Sequence, residues 1–214
     1  MIPVLVVPIL ARPDLLRRML ASIDHPVGRL VVIDNGHCVA DLPPMPNVAA
    51  VTLLSLPSNL GVATSWNLGI KITPMAPWWL IAGFDVTFAP GSLASMAASA
   101  RADAVVLSGS DPPWAAFTIG EAVVDRVGLF DEGFHPAFFE DWDYERRCEA
   151  AGVQVVRTGT VVDHDNSSTL KAGYHDHNRR TFPANRDYFE DKIARGDLTE
   201  GHWTLARRRE QSWD

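Results

Sequence analysis

Cysteine is scarce in this chain. Cys38 and Cys148 are the two present, they stand far apart, and they match no metal or redox spacing. That excludes a disulfide framework and predicts reduced thiols in a cytoplasmic protein. Long apolar runs are also missing. The stretch from Ile2 to Leu10 is too short to cross a bilayer and has no basic leader, and Pro3 and Pro8 argue against a signal helix. It reads as a first buried strand, and no transmembrane segment is expected. Positive charge is in deficit, with 19 Lys and Arg against 26 Asp and Glu and a formal net charge of -7. This leaves no general footprint for nucleic acid, and the small run Arg207-Arg208-Arg209 reads as a solvated helix face. Low-complexity linkers and internal repeats are absent. What remains is a chain with 47% hydrophobic and 21% charged residues, enough for a sizeable core. The expectation is one domain over residues 1–195 and a C-terminal extension over 196–214.

Within that frame, strands and helices alternate. Val4 to Ile9 is an apolar run, and Pro13-Asp14 then opens a helical pattern carrying Leu15, Leu16, Met19, Leu20 and Ile23. Arg29 to Asp34 is a second strand that stops at Asp34-Asn35-Gly36. Ala49 to Leu54 is a third, broken by Pro57 to Gly61 ahead of a helix with Val62, Trp66, Gly69 and Ile70 on its core face. Trp78 to Ala82 is a fourth, closed by Gly83-Phe84-Asp85. Ala104 to Leu107 and Val153 to Val156 continue the series, Thr160 to Val162 is its last strand, and a turn-rich loop from Gly109 to Trp114 leads to the short apolar stretch Phe117-Thr118-Ile119. Helices are expected from Pro90-Gly91 to Ala100, over Glu121 to Val127, and over Phe182 to Arg195. In α/β sheets ligands bind at the carboxyl ends of the strands, so Asp34 and Asp85 are candidates for ligand contact, although a turn alone also favours Asp at such positions. Asn59, Ser65 and Asn67 lie at or near a helix start, where free N–H groups can meet an anion and Gly61 permits close approach.

The densest chemistry is Phe138-Phe139-Glu140-Asp141-Trp142-Asp143-Tyr144-Glu145-Arg146-Arg147, with four carboxylates after an aromatic pair. Helical spacing of Tyr144, Cys148 and Ala151 places Glu140 and Asp141 at a helix N-terminus. The helix dipole accounts for some of these acids, and Asp143 with Arg147 suits a pair one turn apart. Capping requires one acid, not two, and Pro136-Ala137-Phe138-Phe139 supplies an apolar wall beside Glu140 and Asp141 that can tune a carboxylate as a base. Trp114, Phe117, Phe138 and Trp142 are aromatics that could stack on a ligand or fill the core.

Over residues 3–192 these stretches resemble the family 2 glycosyltransferases of the GT-A fold, in particular the rhamnosyltransferase-like branch. Leu30 to Asn35 is similar to that family's second strand with its nucleotide-binding acid. Asn59-Leu60-Gly61, continuing to Asn67-Leu68-Gly69, is similar to its Asn-x-Gly-x-x-x-x-x-Asn-x-Gly signature. Val127 to Glu132, followed by Glu140-Asp141-Trp142-Asp143 and Arg146, resembles its Gly-Phe-Asp and Glu-Asp-x-Asp pattern near the acceptor site. The resemblance implies an α/β domain with a mostly parallel central sheet flanked by helices and a Rossmann-like nucleotide-binding half. It implies Asp141 as general base beside Glu140, and Pro8, Asp34, Asn59, Gly61, Asn67 and Asp85 around the donor. It also implies a Mn²⁺ or Mg²⁺ ion on Asp85 and His164, the latter followed by Ser167 and Ser168. The family's Asp-x-Asp metal motif reads Gly83-Phe84-Asp85 here, so only its final aspartate carries over. Asn185, Tyr188 and Lys192 resemble the closing helix and are expected to be structural.

The expected function is metal-assisted, inverting transfer of a sugar from a nucleoside diphosphate donor to an acceptor hydroxyl on a glycan, a lipid-linked saccharide or a protein. A sugar-nucleotide or glycan-binding module that has lost catalysis is the alternative, since the first acid of the metal motif is missing. A hydrolase built on Asp163, His164, Asp165, His175 and His177 is a third, because such short clusters can bind Zn²⁺.

Overall fold

The computed structural model describes residues 1–165 and 169–199. Ser167, Ser168, Arg207-Arg208-Arg209 and the extension beyond 199 lie outside the described residues. The strands are β1 (Ile2–Ile9), β2 (Val27–Asp34), β3 (Val48–Ser55), β4 (Trp78–Ala82), β5 (Val86–Thr87), β6 (Ala104–Leu107), β7 (Ala116–Gly120), β8 (Gln154–Arg157) and β9 (Asp163–His164). The helices are α1 (Pro13–Ala21), α2 (Val62–Lys71), α3 (Ser92–Ser99), α4 (Glu121–Val127), α5 (Glu140–Ala150) and α6 (His175–Ala194). A single 3-10 turn, Pro113–Ala115, precedes β7, and a short π-helical turn, Leu170–Tyr174, precedes α6.

Seven strands form one sheet in the order β3-β2-β1-β4-β7-β6-β8, and β7 alone runs against its two neighbours. β1 and β2 are covered on both faces, which is why they read as nearly unbroken apolar runs. Along β1, Leu5 and Val7 pack against α1 and α3 through Leu16, Met19, Leu93 and Met96. Val4 and Val6 face the other way, toward Trp66 and Ile70 of α2, Val123 of α4 and Tyr144 and Cys148 of α5. α2 lies so close to β1 that a Cβ at Gly69 would come within 2.4 Å of the Val6 side chain, so the helix needs glycine there. Both cysteines are free thiols. Among the described residues no helix is long and apolar enough to cross a membrane.

The structure departs from the sequence reading at the late elements. Thr160 to Val162, expected as a strand, is irregular chain tied to the loop after β6 through Gly109 N–H to Thr160 O (2.7 Å) and Val162 N–H to Ser110 Oγ (2.7 Å). Strand pairing begins only at β9, which pairs with the two-residue β5. Such short strands carry almost no periodic signal. The last helix starts at His175, not Phe182, and continues through Pro183. Its first two turns are exposed and polar, so hydrophobic periodicity could not show them.

A buried ion-pair network fixes α5 and α6 to the segment between α4 and α5. Lys192 of α6 is fully buried, with its Nζ 2.5 Å from Asp131 Oδ2 and 3.0 Å from Asp143 Oδ1. Asp143 in turn accepts from Arg147 Nε at 2.8 Å, the pair one turn apart that the sequence suggested. The Arg147 guanidinium also donates to the carbonyls of Val127 and Leu129 at 3.1 and 2.7 Å. Tyr188 hydroxyl donates to Asp131 at 3.0 Å. Removing one partner from a buried ion pair leaves an uncompensated charge and costs about 3–5 kcal/mol. Lys192→Met is therefore expected to lower unfolding free energy by about that much in urea titration. Adding Asp131→Asn should recover part of the loss, because the stranded charge is removed.

Candidate active site

The carboxyl ends of β1, β2, β3, β4, β6 and β8 share one edge of the sheet, since all six run in the same direction. β7 starts at that edge, with Ala116 beside Ala82. α5 leads back through Gly152 into β8, so its N-terminus also stands at this edge.

Asp34 closes β2 and is wholly buried. Its Oδ1 accepts from the N–H groups of Gly36 and Cys38 at 3.1 and 3.2 Å, and Oδ2 accepts from Val39 N–H at 2.9 Å. Burial alone would raise its pKa, but the backbone donors of Val39, Cys38 and Gly36 outweigh it and hold the carboxylate below its ordinary range. The carboxylate thus shapes the loop over 36–39 instead of standing open at the edge. Asn35, which sequence reasoning did not single out, joins two loops. Its amide donates to Ser65 Oγ at 2.9 Å and accepts from Leu60 N–H at 3.0 Å. The Asp-Asn-Gly turn signalled a bend but not this cross-link. Pro8 is half-buried near the end of β1, opposite Ile33.

Asn59 Oδ1 accepts from Gly61 N–H at 2.9 Å, closing a tight turn in which Gly61 has φ 86°. A Cβ at Gly61 would lie 2.9 Å from both His135 Nδ1 and Pro136 O, so glycine is required for conformation and space alike. The first N–H of α2, at Val62, donates to Pro136 O at 2.7 Å. That donor, expected to be open to an anion, is occupied by the chain itself. Asn67 is also turned inward: its amide donates to Phe130 O and Glu132 Oε1 at 2.8 and 2.9 Å, and accepts from Phe130 N–H at 2.9 Å. It clamps α2 to the segment before α5. The Asn-x-Gly…Asn-x-Gly pattern is thus a joint between α2 and residues 130–136.

Asp85 follows β4 and is nearly buried. The β5–β9 pairing brings His164 to it, with His164 Nε2 3.3 Å from Asp85 Oδ1. Two residues proposed from separate parts of the sequence are therefore adjacent. A Cβ at Gly83 would come within 2.8 Å of Asp85 Oδ1, so an acid at that position would crowd the carboxylate that is present. One carboxylate oxygen and one imidazole nitrogen suit Mn²⁺ or Mg²⁺ when a diphosphate supplies further oxygens. Among the described residues no three His, Cys, Asp or Glu side chains converge, so Asp163, His164, Asp165, His175 and His177 do not assemble the hydrolase cluster.

Glu140 and Asp141 open α5 immediately after Phe138 and Phe139, which both have positive φ, 78° and 75°. Such backbone costs on the order of 1–3 kcal/mol per residue and is held by its surroundings. Here Phe139 packs on Phe182 and Phe189 of α6 at 5.1 and 5.7 Å between ring centroids. Glu140 is 6% exposed and its Oε2 has no hydrogen-bond partner among the described residues. Burial, reinforced by the charge of Asp141, pushes its pKa up to about 8. Asp141 is half-buried, and its Oδ1 accepts from Trp142 N–H at 2.9 Å. Burial raises its pKa too, opposed by the N–H groups of Trp142 and Asp141, with Glu145 adding to the rise. Of the four aromatics considered for stacking, Trp114 and Phe117 are core, in contact with each other at 4.6 Å and with Trp66. Trp114 Nε1 donates to Glu145 Oε1 at 2.8 Å. Phe138 and Trp142 are exposed, at 39% and 58%.

No family model matches the chain. A galactofuranosyl glycosyltransferase of Leishmania donovani is 33% identical over 97 residues, which is 44% of this chain and 22% of that protein. Solved structures of similar shape include a mannosyltransferase, PcManGT, of Pyrobaculum calidifontis in complex with GDP-Man and Mn²⁺. It is 16% identical with a TM-score of 0.61, over 81% of this chain and 58% of the other. Residues 1-349 of S. aureus TarS give 16% identity and a TM-score of 0.53, over 75% and 59% of the two chains. GalNAc-T7 with UDP, GalNAc and Mn²⁺ gives 10% and 0.59, over 77% and 44%. The chain spans little more than half of the first two structures and about a fifth of the Leishmania protein. The seven-stranded, mostly parallel sheet with helices on both faces is the GT-A fold of these glycosyltransferases.

Proposed function

We propose that the chain is an inverting glycosyltransferase that moves a sugar from a nucleoside diphosphate donor to an acceptor hydroxyl, with a divalent metal ion, in the cytoplasm. The observation that carries this reading is the meeting of Asp85 and His164, 3.3 Å apart at the carboxyl edge of the sheet where α5 presents Glu140 and Asp141. The neighbouring structures support it, since two of them hold a nucleotide or nucleotide sugar together with Mn²⁺. The finer placement in the rhamnosyltransferase-like branch rests on the sequence motifs alone.

In this reading the loop ordered by Asp34, together with Asn35 and the Asn59–Gly61 turn, forms the nucleoside side of the pocket beside Pro8. Asp34 acts through the loop it holds, and Asn67 through the clamp on residues 130–132. Asp85 and His164 would hold Mn²⁺ or Mg²⁺, which supplies charge neutralisation for the departing diphosphate. Asp141 accepts the proton of the acceptor hydroxyl as that oxygen attacks the anomeric carbon opposite the leaving group, and a single displacement inverts configuration. Glu140, whose pKa is pushed up to about 8, keeps its proton at neutral pH. Asp141 is then the ionised member of the pair and the one able to act as base.

Three measurements bear on this. A thermal-shift panel of nucleoside diphosphates and their sugars should show stabilisation by one donor class that Mn²⁺ increases, and Asp85→Asn should abolish that increase. Full activity of the native chain in excess chelator would remove both Asp85 and His164 from a metal role. Asp141→Asn should lower turnover by about 10²- to 10⁴-fold while sparing donor affinity by calorimetry. Near-native turnover in that variant would reject the base, and a native chain that binds donor yet transfers to no acceptor would favour the binding module.

Glu140 makes a separate prediction on stability. Its native pKa of about 8 lies above the ordinary 4.5, so the native state holds more protons than the unfolded state between those values. Its contribution to stability is fully present below about pH 4.5 and declines as pH rises through 8. Urea titrations should show the native chain losing stability between pH 5 and 9, with a shallower slope in Glu140→Gln. Parallel slopes would show that Glu140 ionises freely.

A further inference from the structure

A cavity of about 530 Å³ runs along the outer flank of α5, away from the strand ends. Trp142, Glu145, Arg146 and Glu149 form one side of it, with Val155 of β8 and Phe189 of α6 opposite. The α5 residues fall at positions 142, 145, 146 and 149, a single helical stripe about 10 Å long. Its upper end is tied to the reacting group, because Glu145 stands one turn after Asp141 and its charge acts on that carboxylate. The site and the cavity are consecutive surfaces of one helix.

The lining selects the chemistry of an occupant. Trp142 is 58% exposed although its ring is held by Phe139 at 5.4 Å and Phe189 at 6.1 Å, so a large, immobilised aromatic surface faces outward. Around it stand two carboxylates and a guanidinium. Arg146 is engaged with Asp143 and with the Asp197 carbonyl, yet its buried Nε has no acceptor among the described residues. A diphosphate would meet Glu145 and Glu149 with one partly committed arginine against it, an unfavourable balance. An acyl chain would have to desolvate both carboxylates without hydrogen-bonding them. A neutral ligand with an apolar face and many hydroxyls satisfies the indole, the carboxylates and the guanidinium together.

We infer that this cavity is a subsite for an extended saccharide acceptor, which lies along α5 from Asp141 toward Glu149 with a sugar face on Trp142. The inference rests on the glycosyl-transfer reading for the meaning of Asp141, but its test does not require turnover. Mannose, mannobiose and mannotetraose, with the matching gluco- and galacto-series, would be titrated into the full chain by calorimetry and saturation-transfer NMR, with and without GDP or UDP and Mn²⁺. At least one series should bind more tightly as it lengthens. Trp142→Ala and Glu149→Gln, both exposed positions, should weaken the tetrasaccharide about tenfold or more while leaving nucleotide affinity unchanged.

The inference is overturned if no series gains affinity with length, if the variants bind the tetrasaccharide like the native chain, or if a lysine-rich peptide occupies the cavity in preference to every saccharide. Transfer to monosaccharides would then survive as evidence for the catalytic reading alone. Length-dependent binding that needs Trp142, in a chain that transfers nothing, would keep the subsite and reject the transferase.

Discussion

The ammonium group of Lys192, enclosed between Asp131 and Asp143, is the contact on which the acidic end of the molecule depends. It joins α6, the segment after α4 and α5 at one point, and none of the three charges has water to fall back on. Two buried carboxylates so close to one another are tolerable only with cations between them, and Arg147 supplies the second. The orientation of α5, and with it the direction in which Glu140 and Asp141 project, follows from this arrangement. The aromatic contacts of Phe139 with α6 add a second layer to the same junction.

Around that junction the chain assigns different work to residues of the same type. Asp34, Asp131 and Asp143 are buried with their oxygens satisfied by backbone donors or cations. Glu140 is buried and its Oε2 is unsatisfied among the described residues, which drives it toward the neutral form. Asp141 keeps partial access, and Asp85, though buried, is paired with the imidazole of His164. Environment, not residue type, separates the carboxylates that build the fold from those available for chemistry.

Much of this was legible in the sequence where the signal was local. Apolar runs ending in Asp34 and Asp85 placed two strand ends, Pro13 marked a helix start, and the Phe138–Arg147 stretch announced α5. The Asp85–His164 pair was legible only through the resemblance, since the strands that join them are two residues each. The inward turn of Asp34 and Asn67 could not be read, because an acid or amide at a loop looks the same whether it faces a ligand or its own backbone. Lys192 was expected to be structural through the resemblance of its helix, but its partners could not be named from the sequence: they lie some fifty to sixty residues earlier, and no periodic signal links them to it. Trp114 was ambiguous for the related reason that burial of an aromatic is decided by distant neighbours such as Trp66.

The reversed direction of β7 has a mechanical consequence. A sheet with all strands parallel would need a crossover between β6 and β7, and that connection would pass over a face. Because β7 turns back, the eight residues 108–115 stay at the carboxyl edge and form a short parapet, closed on itself by Ser108 Oγ to Pro113 O and fastened to the chain after β4 by Gly83 N–H to Ala115 O, at 2.9 Å each. The parapet grips α5 through the indole of Trp114 and Glu145. Any rocking of α5 relative to the sheet must break that hydrogen bond as well as the ion pairs at its base, so the helix is braced at two levels and its carboxylates are held in fixed relation to the strand ends.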